Sequence, residues 1–239
     1  MILYKYYPCN KNTFVSLSVN GLWCSEHSKM NDPFECLASV DRKFDKEQIQ
    51  SFKKILVDSG NKLYKNFHLH SDETINKLAN SFRKTPLDKY AFCSFSEDPN
   101  NILMWTHYAN NHSGLVIGFE FPELKNNNNL QKVRYQNQLD DISLTPYANF
   151  ILGKEDGYLD EILRDYSIKS EHWMYEREWR LWRTCSGYFR YKPENIKEVH
   201  FGLNMPIETK AILIKLLSFL PKEFDFKQKE LNYNPIGLK

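Results

Sequence analysis

Apolar and polar positions change period several times along the chain, and those changes predict its elements. Ile2-Leu3-Tyr4-Lys5-Tyr6-Tyr7 has the aromatic and branched composition of a first strand. Asn12 to Asn20 reads as a short helix ending at Gly21, where a C-cap glycine is expected, and Leu22-Trp23-Cys24 follows as a strand or extended turn. From Asp45 to Lys84 the period is helical, with Ile49, Phe52, Ile55 and Leu56 on one face. The charged, ring-poor surface of that stretch marks it as a lid or packing layer. Ala91 to Ser96 and Gly114 to Phe121 read as strands. Between them Asp98-Pro99 signals the start of a helix from Ile102 to Tyr108.

The second half continues with a loop or hairpin tip at the four asparagines Asn126 to Asn129, then a strand from Lys132 to Tyr135. A long helix is expected from about Tyr158 to Trp173, followed by an extended segment from Tyr175 to Arg183. Ile196 to Phe201 reads as a strand, Ile207 to Phe219 as a helix and Phe224 to Leu231 as a terminal strand. Strands outnumber helices and follow one another in the middle of the chain. The fold class is therefore α+β: one domain over residues 1–239, with a mainly antiparallel sheet that is open to being split, and a helical insertion at about 45–88.

Composition narrows the function only a little. Of the 239 residues 41% are hydrophobic, enough for a sizeable core, and 15% are aromatic, so many rings are either core or binding surface. A net charge of +2 gives no global basic field that would by itself call for nucleic acid. The five cysteines are widely spaced and none forms a C-x-x-C pair, which fits reduced thiols and a cytoplasmic setting better than a disulfide framework or a zinc site. No signal peptide is visible at the N-terminus. The longest apolar stretch, near Ala211 to Leu220, is interrupted by Lys215 and too short to span a bilayer, so no membrane association is expected.

Three blocks concentrate polar chemistry. In Asn31-Asp32-Pro33-Phe34-Glu35, proline forces its predecessor out of the helical region. The segment is either a capped turn, with Asp32 as N-cap, or a turn presenting Asn31 and Glu35 into a cleft. In the second block strand alternation puts Ser94 and Ser96 on one face, where two hydroxyls could bind a ribose or phosphate. The bulky helix Met104-Trp105-Thr106-His107-Tyr108 follows, with Met104 and Tyr108 sharing one face and Trp105 and Ala109 another. Such rings are as often core as binding surface. No histidine pair sits near cysteines or carboxylates at metal-ligand spacing, so no metal is expected. The third block is Glu176-Arg177-Glu178-Trp179-Arg180. In an extended chain Glu176, Glu178 and Arg180 share a face, either as surface ion pairs worth little or as a site where Arg180 holds one carboxylate while the other meets a substrate.

Taken together, Leu3-Tyr4-Lys5-Tyr6, Asn31-Asp32-Pro33-Phe34-Glu35, Cys93-Ser94-Phe95-Ser96-Glu97, Met104 to Tyr108, Gly114 and Trp173-x-Tyr175-Glu176-x-Glu178-x-Arg180 resemble an uncharacterised bacterial family, the domain of unknown function numbered twenty-nine seventy-one. A second resemblance is to the ADP-ribosyltransferase superfamily, which splits NAD at its nicotinamide–ribose bond. Tyr4-Lys5, Ser94 with Ser96, and Glu176-Arg177-Glu178 fill its three characteristic places, and Gly21-Leu22-Trp23 after an early helix resembles its entry. Two departures stand out: no arginine or histidine on the first strand, and Ser-Phe-Ser in place of Ser-Thr-Ser.

That resemblance implies an enzyme of bacterial defence or toxin type, with NAD as substrate and a nucleic-acid or protein acceptor. Glu178 would be the key carboxylate, Glu176 the second, and Arg180 a third catalytic residue. Tyr4, Lys5, Asn31, Glu35, Ser94, Ser96, Trp105, His107 and Tyr108 would bind the nucleotide. NAD cleavage passes through an oxocarbenium-like ribosyl cation, which a carboxylate stabilises. Two other readings stand beside it. One is a metal-dependent nuclease built on Glu35, Asp98 and Glu178 with Lys5 or Arg180. The other is a non-catalytic module that binds a nucleotide or partner protein.

Overall fold

The computed structural model describes residues 1–30, 40–124, 129–137, 141–154, 158–219 and 225–228. Its order is β1 (Leu3–Tyr7), α1 (Lys11–Ser18), β2 (Gly21–Glu26), α2 (Lys46–Asp58), α3 (Asp72–Leu87), β3 (Ala91–Ser96), α4 (Ile102–Tyr108), β4 (Leu115–Phe119), β5 (Leu130–Lys132) and β6 (Arg134–Tyr135). Then come α5 (Thr145–Ile151), α6 (Tyr158–Tyr166), β7 (Ile168–Lys169), β8 (Glu178–Arg183), β9 (Gly187–Arg190), β10 (Ile196–Phe201), α7 (Ile207–Ser218) and β11 (Asp225–Gln228). The architecture is α+β with a mostly antiparallel sheet, as the strand-rich middle of the chain implies. Among the described residues no helix is long and apolar enough to cross a membrane.

Nine strands form the main sheet, in the order β11-β10-β4-β1-β3-β2-β9, with β8 pairing β3 and β5. β3 is the junction. Along one edge it pairs β8 over its whole length, from Ala91↔Arg183 to Ser96↔Glu178. On the other side β2 pairs only Ala91 and Phe92, and β1 only Ser96. The sheet therefore opens between β1 and β2, and the ammonium of Lys5 reaches into the opening to donate to the Ser94 carbonyl at 3.0 Å.

Apolar residues pack on both faces. Leu3, Leu22, Cys93, Phe95, Ile117, Phe119 and Val199 belong to one buried cluster, which includes Leu213 and Leu217 of α7. Phe92 and Trp182 join Phe52 of α2, Ile75 of α3, Tyr147 of α5 and Tyr166 of α6 in another. A third, smaller cluster seats α4: Trp105 and Ala109 pack with Tyr6 and Val116. After α4, Asn110, Asn111 and His112 take left-handed conformations (φ 48, 52 and 65°), and the turn closes at Gly114, where a Cβ would lie 2.1 Å from the Tyr7 carbonyl oxygen.

Several expected elements differ. Gly21 does not cap α1, because Asn20 takes the left-handed residue (φ 48°) and Gly21 opens β2. The Asp45–Lys84 stretch is two helices, and α4 is capped by the Asn101 side chain rather than at Asp98-Pro99. Lys132 to Tyr135 is two short strands in different sheets. The helix expected to run to Trp173 stops at Tyr166. There Ser167 turns its hydroxyl back to the Leu163 carbonyl, and the chain enters the short strand β7, which pairs β6 in parallel. Tyr175 to Arg183 is not wholly extended: a 3-10 helix covers Glu171–Glu176, and Arg177 is left-handed (φ 44°) before β8 begins. Residues 31–35 and 126–128 lie outside the described residues, and so do the roles expected of Asn31 and Glu35.

Candidate functional site

A cleft of about 650 Å³ lies over the opening of the sheet. β1 contributes Tyr4, Lys5 and Tyr6, β3 contributes Phe92 and Ser94, and α4 contributes Met104, His107 and Tyr108. Glu176 and Glu178 line it together with Lys169. Trp23 and Lys29 stand at its exposed edge, the indole held edge-on by the Tyr188 ring with centroids 5.0 Å apart.

The floor is a four-charge cluster that sums to zero. Arg180 donates from Nε to Glu178 Oε1 at 2.9 Å and from its terminal nitrogen to Oε2 at 3.1 Å. Ser94 stands diagonally across the β3–β8 pair and donates its hydroxyl to Glu178 Oε1 at 2.6 Å. Lys169 lies between the carboxylates, 2.7 Å from Glu176 Oε2 and 3.3 Å from Glu178 Oε2, with the Trp173 ring 4.9 Å away. The other oxygen of Glu176 accepts the Tyr108 hydroxyl at 2.5 Å. Lys169 and Glu176 each expose 5% of the side chain, Glu178 4% and Arg180 none. Charges this buried persist only when paired and hydrogen-bonded, and here they are.

The two carboxylates are pushed apart. Burial works against the charged form of Glu178, but the Arg180 guanidinium, the Lys169 ammonium and the Ser94 hydroxyl overcome it and hold the carboxyl at about 2. Burial dominates at Glu176, and with the nearby Glu178 charge it raises that carboxyl despite Lys169 and Tyr108. Glu178 therefore contributes stability that is fully present above its ordinary value of 4.5 and is lost as pH falls from there towards about 2. Acid unfolding followed against pH should be flatter over that window in Glu178→Gln, which has no proton to take up. An unchanged slope would show that Glu178 does not supply this stability.

Of the residues singled out from the sequence, Tyr4, Lys5, Ser94, His107, Tyr108, Glu176 and Glu178 come together in the cleft. Both glutamates face it, as simple alternation would have them do, although the 3-10 turn and the left-handed Arg177 interrupt the strand between them. Three residues do not line it. Arg180 lies behind Glu178 and also donates to the Tyr166 carbonyl, so it positions the carboxylate rather than touching cleft contents. Ser96 is buried and donates to the Glu176 carbonyl at 2.7 Å, because pairing with Tyr4 covers it. Trp105 is core, its indole N–H held by the Pro99 carbonyl. Tyr4 contributes its ring, since its hydroxyl donates to Glu198 at 2.6 Å. Asp98, named for the nuclease reading, does not line the cleft.

Sequence reasoning missed Lys169 and Tyr135, whose hydroxyl accepts the Glu178 backbone N–H at 2.7 Å. Both come from the two-stranded sheet β6–β7, too short to leave any period in the sequence.

A family model described as a protein of unknown function (DUF2971) matches residues 104–181. The matched stretch contains Tyr108, Tyr135, Lys169, Glu176, Glu178 and Arg180, which is most of the cluster. Lys5 and Ser94 lie before it. No curated protein and no solved structure matches the chain.

Proposed function

We propose that the cleft binds NAD and that the protein is an ADP-ribosyltransferase-like enzyme, passing ADP-ribose to a nucleic-acid or protein acceptor. The bacterial defence or toxin setting expected from the resemblance belongs to the same proposal. The observation that carries it is the meeting of Lys5 from β1, Ser94 from β3 and Glu178 from β8 in one cleft, with Glu178 kept ionised by fixed donors. When the nicotinamide–ribose bond breaks, its electron pair leaves with the nicotinamide nitrogen and positive charge develops on the ribosyl carbon. A carboxylate that is already ordered and charged stabilises that centre without reorganising. The volume is in the range of small-molecule sites, about 300–1,000 Å³, and the exposed Trp23 ring at its edge offers a stacking surface. Lys5 is the candidate partner for the pyrophosphate.

Incubating the full chain with NAD and measuring free nicotinamide tests this reading. Release should occur with wild type and fall about a hundredfold or more in Glu178→Gln, the order expected when a preorganised electrostatic group is removed. Equal release by the two proteins, or none by wild type, removes the proposal.

A further inference from the structure

The two carboxylates differ in how a ligand can reach them, and the difference assigns a role to a third residue. Glu178 accepts from Ser94, Arg180 and Lys169, so it is saturated with donors and suited to remaining charged. Glu176 also has both oxygens engaged, one by Lys169 and one by Tyr108, and exposes only 5% of its side chain. Tyr108 lines the same cleft, is only half-buried where Glu176 is buried, and is hydrogen-bonded to it, so it connects the cleft to that carboxylate.

We infer that Tyr108 is a catalytic residue that takes the proton of the attacking nucleophile while passing its own to Glu176, with Lys169 as a positioning residue behind them. The inference rests on the NAD-cleaving reading above. In the step, the nucleophile's oxygen lone pair forms the new bond to the anomeric carbon of ribose. The carbon–nitrogen bond to nicotinamide breaks, and its electron pair stays on the nitrogen. The nucleophile's proton goes to the Tyr108 oxygen and the Tyr108 proton to Glu176 Oε1, 2.5 Å away. The positive charge lost from the pyridinium is balanced by the neutralised carboxylate, and no further reactant is needed.

The surroundings suit this division. Glu176 is faced by Lys169 from β7, Glu178 from β8, Tyr108 from α4 and the neighbouring rings of Tyr135 and Tyr175. Burial lifts its carboxyl above the ordinary glutamate value, so it accepts a proton more readily than Glu178 does. Paired groups whose proton affinities are driven apart divide into acid–base and electrostatic roles. The relay requires ionised Glu176, so activity with water as nucleophile falls as pH drops through that raised value.

The test uses the full chain with NAD, comparing water with azide, an anionic nucleophile that carries no proton to remove. Tyr108→Phe keeps the ring in place and leaves Glu176 its Lys169 partner, so it should fold, with a melting temperature lowered by a few degrees for the lost hydrogen bond. Its nicotinamide release in water should fall about a hundredfold, the scale of general-base catalysis. Azide should restore most of the rate in Tyr108→Phe and little of it in Glu178→Gln, and the rescued reaction should lack the acid limb of the pH profile. A Tyr108→Phe protein as fast as wild type in water overturns the relay, as does a slow one that azide does not help. Either result leaves NAD cleavage by wild type standing. A wild type that releases no nicotinamide removes the NAD reading and the relay together.

Discussion

Replacing Lys169 by methionine is expected to destabilise the fold by about 3–5 kcal/mol at neutral pH, the cost of breaking a buried ion pair from one side. For a chain of this size that corresponds to a melting temperature lower by roughly 6–20 °C. Methionine fills nearly the same volume, so the loss comes from charge rather than from a cavity. The floor of the cleft would then hold two carboxylates and one guanidinium, and Arg180 is already committed to Glu178. Glu176 would keep only the Tyr108 hydroxyl of the two donors it has now.

The sign with pH follows from the same count. Without Lys169 the folded-state proton affinity of Glu176, already raised, rises further. A group whose folded value is raised contributes stability below its unfolded value and loses it as pH rises through the folded value. The deficit of Lys169→Met should therefore be largest in neutral and alkaline solution and shrink on mild acidification. Denaturant unfolding of both proteins at several pH values measures this. A deficit independent of pH would mean that Lys169 acts by packing, and a deficit below about 1 kcal/mol would place the ion pairs among those of surface strength.

Trp105→Ala is the second large effect expected, about 3–5 kcal/mol for a large-to-small change at a fully buried ring. Trp105 is 0% exposed, meets Tyr6 edge-on at 5.6 Å and stacks on His112 at 6.0 Å. The change also leaves the Pro99 carbonyl without its indole donor. Since α4 rests on the sheet largely through this ring, His107 and Tyr108 would lose their setting. Under the proposed function nicotinamide release should fall with stability, and Trp105→Phe should recover much of both. A Trp105→Ala protein that melts within a few degrees of wild type would show that α4 is seated by other contacts.

The parts of the site legible in the sequence are those where a regular period sets the direction of side chains. Alternation along β3 and β8 places Ser94, Glu178 and Arg180 on one face, and the pairing Ser94↔Arg180 brings them together. Depth along that face is not legible. Ser96 shares the side of Ser94, yet it is buried because β1 covers β3 at that residue and not two residues earlier. The i,i+4 pair Trp105–Ala109 marked a common face of α4, and that face is the one turned to the core. Lys169 could not be read because the chain leaves α6 for a two-residue strand, which composition does not separate from a continuing helix. What holds it there is a parallel pairing with residues far back in the chain, at Arg134 and Tyr135.

The junction at β3 also sets an order of assembly. Its neighbours come from the beginning of the chain, from residues 21–26 and from residues 178–183, so the cleft has no local precursor. The helices α2 and α3 can form from nearby contacts, but Ser94 meets Glu178 only after a long loop has closed. The entropy of that closure must be met before the contacts it allows are gained, and topologies of this kind fold slowly. Under the proposed reaction this acts as a safeguard during synthesis. A nascent chain released only as far as α6 holds neither glutamate and cannot consume NAD, and the activity begins when the last strand across the junction is in place.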